Sequence, residues 1–173
     1  MRFHLDGRAR VVGDDINTDY IIASTRKRDT LDEQLLKRYL LETVNPAFAA
    51  SVQPGDLIVA GSNFGCGSAM EIAVTVILAA GIRAVLARSF ARTFFRNAVN
   101  NGLLPIECDT TAIAEGDALS VTAAEGGVLV AVGRRGLNIA ARPLPPMMSE
   151  ILESGGLVEY VRLGRWSQRP ARP

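Results

Sequence analysis

The stretch Gly61-Ser62-Asn63-Phe64-Gly65-Cys66-Gly67-Ser68 ends a glycine-spaced turn on a serine, directly ahead of the apolar run Ile72-Ala73-Val74. Glycine-rich turns that open into helices often hold anions, because free backbone N–H groups point outward there. A hydroxyl at such a helix start faces unpaired N–H groups and the positive end of the dipole, which would stabilise an alkoxide able to act as a base. Ser68 with Glu71 three residues later also spells a capping box, and capping does not preclude catalysis. Cys66 lies in the same N–H field, which lowers a thiol pKa, although a buried inert cysteine fits the pattern as well.

Several chemistries fall away at once. A Walker A loop needs Lys-Ser/Thr after its last glycine, and none follows Gly67. The dinucleotide fingerprint fails at Met70, and no acid stands about twenty residues on, where the sequence reads AVLARSF. His4 is the sole histidine, so zinc sites built on several histidines are excluded, and a Ser-His-Asp triad would have to draw on the extreme N-terminus. Cys66 and Cys108 are the only cysteines; they form no CxxC and no disulfide framework, which suits a reducing cytosol.

The totals bound the rest. A length of 173 residues suits one domain, and 48% hydrophobic residues allow a sizeable core. A net charge of +1 is no footprint for nucleic acid. No apolar run reaches the roughly 18 residues of a membrane span, and MRFHLDGRARVV contains no secretory h-region.

The elements that must position the turn follow from periodicity. RARVVG (8–13) reads as a strand leading into the turn-rich GDDINTD, after which YIIAS reads as extended and Arg26, Lys27 and Arg28 form a cation cluster. Thr30 and Glu33 spell a capping box for a helix with Leu35, Leu36, Tyr39 and Leu40 on one face. DLIVAG (56–61), IRAVLA (82–87) and LLPIE (103–107) read as strands. Between them lie a helix from Ser68 to a stop at Gly81 and a helix over 89–102 closed by Asn-Gly, so the segment is built of parallel βαβ units. ALSVT, VLVAVG and LNIAARPLP add a β meander; PPMMSEILESGG is a helix, LVEYVRL a last strand, and the basic tail 164–173 is frayed.

"VAGSNFGCGSAMEIA" and "SFARTFFRNAVNNGLLPI", with the earlier "GDDINTDYII", are three separate motifs in the right order that resemble the small subunits of 3-isopropylmalate dehydratase, within the aconitase superfamily, and the likeness runs from about Arg8 to Leu163. The resemblance implies an α/β fold of one domain over 1–163, the swivelling β/β/α domain of the aconitase C-terminal type, with a parallel βαβ core and an added β meander. It implies an aconitase-like large subunit that carries the [4Fe–4S] cluster, and a malate-type substrate whose hydroxyl moves between adjacent carbons by loss and return of water. It places the proton-abstracting base on Ser68 and acid–base support on Asp19. Thr18, Gly67, Ala69, Met70, Arg26 and Arg28 fall on the substrate side. No nucleic acid, no membrane and a cytoplasmic location are the accompanying expectations.

The departures matter as much. Where that family usually reads Ser-Ser-Arg-Glu-His, this chain reads Ser68-Ala69-Met70-Glu71-Ile72, without the arginine that grips a substrate carboxylate. Such a charge-assisted pair contributes about 1.5–3 kcal/mol. An apolar Met70 suits an alkyl group, with Arg26, Lys27 or Arg28 taking over the carboxylate. Arg92 and Arg96 either face a subunit interface or are plain helix-surface charge. Two alternatives stay open: a sibling subunit for methyl- or dimethylmalate or homoaconitate, and a non-catalytic binding module that keeps the fold.

Overall fold

The computed structural model describes residues 3–28, 30–124, 127–133 and 136–165. Seven strands form one sheet in the order β4-β3-β2-β1-β5-β6-β7. Its parallel half joins β1 (Phe3–Val11), β2 (Leu57–Ala60), β3 (Ala84–Ala87) and β4 (Leu104–Glu107), with Ala9 opposite Leu57, Ile58 opposite Val85 and Val85 opposite Pro105. Its antiparallel half is the meander β5 (Ala118–Ala124), β6 (Gly127–Val132) and β7 (Leu137–Ala141), attached where Leu5 faces Val121. The sheet curls until its two edges meet: the N–H of Arg142, just past β7, donates to the carbonyl of Glu107 at the end of β4 over 2.8 Å.

Two apolar layers sandwich the parallel strands. Successive side chains of a strand point to opposite faces, so Ile58, Ala60, Val85 and Ala87 enter one core while Leu57, Val59, Ala84 and Leu86 enter the other. Burial on both faces is why these strands read as unbroken apolar runs. The first core is roofed by α4 (Ile72–Ala79) through Ala73, Val74, Val76 and Ile77, and by α5 (Arg92–Asn100) through Phe94 and Ala98. As expected, α4 stops at Gly81: the Gly81 N–H returns to Leu78 and the Ile82 N–H to Ile77, a Schellman closure.

Four local readings of the sequence are corrected. The first strand starts at Phe3 rather than Arg8, because His4, Asp6 and Arg8 alternate onto a solvent face while the meander pairs with the backbone. YIIAS is not extended: α1 (Thr18–Ile21) forms there, with Asn17 as its cap. The capping box Thr30–Glu33 does not open a helix; Asp32 caps the short α2 (Glu33–Leu36) by accepting from the Gln34 N–H, Thr30 only accepts from the Asp32 N–H, and Leu35 is exposed. LVEYVRL is not a strand but α7 (Leu157–Arg162), which packs Tyr160 against α5 and against α6 (Pro146–Glu153). The short α3 (Phe48–Ser51) completes the helices. Most of the tail 164–173 lies outside the described residues.

Candidate active site

Parallel sheets carry ligands beyond the carboxyl ends of their strands. Here the segments leaving β1, β2 and β3 converge there and are laced by backbone hydrogen bonds. Gly61 N–H donates to Gly13, Asp15 N–H to Ser62, and Gly65 N–H to Ile16 at 2.7 Å. The Thr18 N–H donates to Cys66 at 2.8 Å, and Asn17 and Cys66 form a parallel bridge. From the third strand, the Ala91 N–H donates to Phe64, and the Phe64 N–H to Ser89. Parallel pairing of β1 with β2 thus brings Thr18 and Ser68 together across fifty positions of sequence.

The glycines have steric reasons. Gly65 (φ +76°) lies against the Phe94 ring, where a Cβ would come within 2.2 Å of it; Gly67 (φ +89°) lies on the Asn17 carboxamide, where a Cβ would come within 2.6 Å. Asn17 in turn accepts the Asp19 N–H at 2.9 Å and so caps α1. Thr18 is buried, and its hydroxyl donates to the Ser68 carbonyl at 3.0 Å. Asp19 is half-buried and accepts the Ser24 hydroxyl. Gly67, Ser68 and Ala69 are exposed, and the Ser68 hydroxyl meets no hydrogen-bond partner among the described residues.

Ser68 is therefore not a helix cap, which corrects the reading from sequence. Helix α4 begins at Ile72 after Glu71, with no side-chain cap. The physical reason is tertiary. Bonds from Thr18 to the carbonyls of Cys66 and Ser68, together with the left-handed Gly67, tie this turn to α1, and residues 69–71 bridge the gap to the helix. Asn17 is the residue the sequence reading overlooked. Its signal was an Asn directly before Thr-Asp, an N-cap pattern hidden in a turn-rich stretch.

The cation cluster forms a single 3₁₀ turn, Arg26–Arg28. Three residues per turn send the three side chains in three directions. Arg26 forks onto Glu42 at 2.8 and 3.0 Å and lies 4.0 Å over the Tyr39 ring. Lys27 is half-buried and sets its ammonium on the Met70 sulfur. Arg28 is exposed. Met70 itself packs against the core under α4 and α5. Of the residues singled out from sequence, Thr18 meets Ser68 and Lys27 meets Met70, whereas Arg26 is taken by a carboxylate of its own chain.

Residues 15–111, more than half of the chain, match the aconitase C-terminal domain family. A 3-isopropylmalate dehydratase small subunit 1 from Archaeoglobus fulgidus is 45% identical over 157 residues, covering 90% of this chain and 96% of its own length. The chain belongs to the 3-isopropylmalate dehydratase small-subunit family. A small subunit 1 from Methanopyrus kandleri is also 45% identical, over 94% of this chain and 95% of its own. The crystal structure of a 3-isopropylmalate dehydratase from Methanocaldococcus jannaschii superposes with a TM-score of 0.89 at 38% identity, covering 96% of this chain and 98% of that one. The expected swivel-domain fold, with its meander, is borne out.

A metal cluster does not fit this member of the 3-isopropylmalate dehydratase small-subunit family. Among the described residues no three His, Cys, Asp or Glu side chains gather as a ligand set. Burial, aided by Asp109, pushes the Cys108 thiol up to about 11, so it rests protonated. At the rim of the turn, the Ser62 N–H and then Arg88 hold the Asp14 carboxyl below the ordinary range. Arg92 and Arg96, both exposed, line a separate apolar cavity of about 430 Å³ with Phe90, Phe95, Leu144 and Met148. No described helix is long and apolar enough to cross a membrane.

Proposed function

We propose that this chain is the small subunit of a two-subunit hydro-lyase that interconverts 2-isopropylmalate and 3-isopropylmalate by dehydration and rehydration, as leucine biosynthesis requires. The names of its relatives support the reaction and a large-subunit partner. The observation that carries the local chemistry is the Thr18–Ser68 contact, which pins the Ser68 backbone while leaving its hydroxyl exposed and without a partner among the described residues.

In this reading Ser68, as its alkoxide, takes the carbon-bound proton, the freed electron pair forms the double bond and hydroxide leaves the adjacent carbon, so the elements of water depart and return in the reverse order. Asp19, one residue from Thr18 and hydrogen-bonded by Ser24, supports that proton transfer. Gly67 and Ala69 keep the approach to Ser68 open, Met70 offers apolar surface, and Arg28 adds positive charge; Arg26 acts by holding its loop to Glu42. In this reading a [4Fe–4S] cluster on the large subunit would supply Lewis-acid chemistry; among the described residues of this chain no ligand set gathers. The apolar Met70 also favours a second reading, a sibling enzyme for methyl- or dimethylmalate.

The test is anaerobic co-purification with the cognate large subunit and a panel of substituted malates, followed through absorbance of the unsaturated intermediate. The parent complex is expected to turn over 2-isopropylmalate, and Ser68→Ala to lose about 10²–10⁴-fold in kcat, the usual worth of a general base, with the complex intact. Normal turnover by Ser68→Ala would remove the base from Ser68. An assembled parent complex inert to every acid on the panel would leave the binding-module alternative.

A further inference from the structure

We propose that the large subunit docks on the apolar hollow between α5 and the chain leading from β7 into α6, setting an apolar side chain in the hollow and carboxylates on Arg92 and Arg96. The inference rests on the function proposed above and deepens it by placing the partner on this chain. The hollow holds about 430 Å³, and Phe90, Phe95, Leu144 and Met148 line it while each stays only half-buried. Rings and a thioether left partly wet have apolar surface still to bury. Arg92 and Arg96 stand one helical turn apart on α5 and so share a face. Both are exposed, and neither guanidinium meets a hydrogen-bond or ion-pair partner among the described residues. The third arginine of the wall, Arg142, is answered by Glu107 at 2.8 Å. The charge left over around the hollow is thus positive, and the surface that complements it is apolar at its centre and acidic at its edge.

Composition and position both favour a protein as the occupant. Aromatic residues, Met and Arg are the types enriched at the centres of protein interfaces. The hollow also adjoins the turn that ends on Ser68. Phe90 packs edge-on to Phe64 at 6.1 Å and parallel to Phe94 at 6.3 Å. Phe94 is the ring against which Gly65 lies, and the Ala91 N–H donates to the Phe64 carbonyl at 2.9 Å as α5 begins. One cluster of aromatic rings therefore walls the hollow and supports the turn. A partner that completes the site at Ser68 finds this face beside it, and covering the hollow removes Phe90 and Phe95 from water.

The experiment titrates the full chain with the cognate large subunit under anaerobic conditions and reads Kd by calorimetry. Arg92→Glu and Arg96→Glu are each expected to weaken association about 10- to 100-fold, because each sets like charge against an acidic edge. Met148→Gln keeps the length of the side chain and should weaken association about 10-fold, the cost of burying an unanswered carboxamide. Arg83→Glu is the control: Arg83 is exposed just before β3, at the opposite end of the strands, and its reversal should leave Kd at the parent value. An unchanged Kd in any of the first three variants, or an equal loss in Arg83→Glu, overturns this inference and leaves the proposed function standing. So does sedimentation in which the parent chain pairs with itself and the two reversals abolish that pairing alone, which would seat a second copy in the hollow. A parent chain that binds no large subunit overturns both.

Discussion

Two polar clusters, one around Arg10 and one around Ser68, are built on opposite principles. Around Arg10 every group is answered. Its guanidinium, hardly exposed, reaches Asp56 at 3.2 Å, Glu115 at 2.8 Å and Ser51 at 2.7 Å, and stacks 5.0 Å from the Phe48 ring. Burial pushes the Asp56 carboxyl up, but the Gln53 N–H and the guanidinium groups of Arg8 and Arg10 outweigh it and hold the group below the ordinary range. Around Ser68 the backbone is answered and the side chains are not: the turn is stitched to α1, while the Ser68 hydroxyl and the Lys27 ammonium lack strong acceptors or donors among the described residues. A saturated network has nothing left to offer a ligand, and its removal damages the fold. An unsaturated one contributes little to folding and is open to a substrate or a partner.

The largest effect on stability should therefore come from the saturated cluster. Arg10→Ala leaves Asp56 buried with only Arg8 and the Gln53 N–H, and Glu115 without its guanidinium. Breaking a buried ion pair from one side costs about 3–5 kcal/mol. Urea unfolding of the isolated chain checks it, and a loss under 1 kcal/mol would show that the network is no more structural than the turn.

A smaller loss is expected where the open cluster touches its own scaffold. Gly67→Ala forces a side chain onto φ +89° and into the Asn17 carboxamide, which caps α1. Strain of this kind costs about 1–3 kcal/mol. The companion Gly116→Ala is the control: Gly116 has a similar φ of +80° but open space where a Cβ would go. Gly67→Ala should cost more than Gly116→Ala in the same urea titration, and equal losses would mean that the Asn17 contact adds nothing.

The same contrast explains what could be read from the sequence. The parallel half was legible because burial on both faces leaves apolar strands such as LIVA and AVLA between glycine and charged boundaries. The meander was legible from its hairpin signals. Helix starts were less so. Both Ser/Thr-x-x-Glu matches failed, one because Asp32 stands closer to the helix it caps, the other because Ser68 is drawn to Thr18. Leu157–Arg162 misled because β-branched and aromatic residues read as strand, whereas burial of Tyr160 between two helices and its bond to Glu150 at 2.9 Å decide for helix. Within the site, the residue types were legible on both segments, but spacing alone hides a contact across fifty positions. The allocation of cations was also hidden, since nothing in Arg26-Lys27-Arg28 says which side chain Glu42 will claim.

The smallest stability effect should be at Ser68, and that smallness is informative. A serine that capped α4 would cost about 0.5–2 kcal/mol on truncation to alanine. Here the helix begins four residues later without a side-chain cap, and the hydroxyl is exposed with no described partner. The contact that orders the turn runs from the Thr18 hydroxyl to the Ser68 carbonyl, a backbone atom that alanine retains. Ser68→Ala should accordingly shift unfolding by less than about 0.5 kcal/mol, the range of surface substitutions away from structural features. Thr18→Val, which deletes the donor and leaves a buried methyl in its place, should cost more in the same urea titration. A Ser68→Ala loss as large as a helix cap would give the hydroxyl a structural duty and erase the contrast with Arg10, whereas a near-zero loss joined to a collapse of kcat in the assembled complex would assign that hydroxyl to chemistry alone.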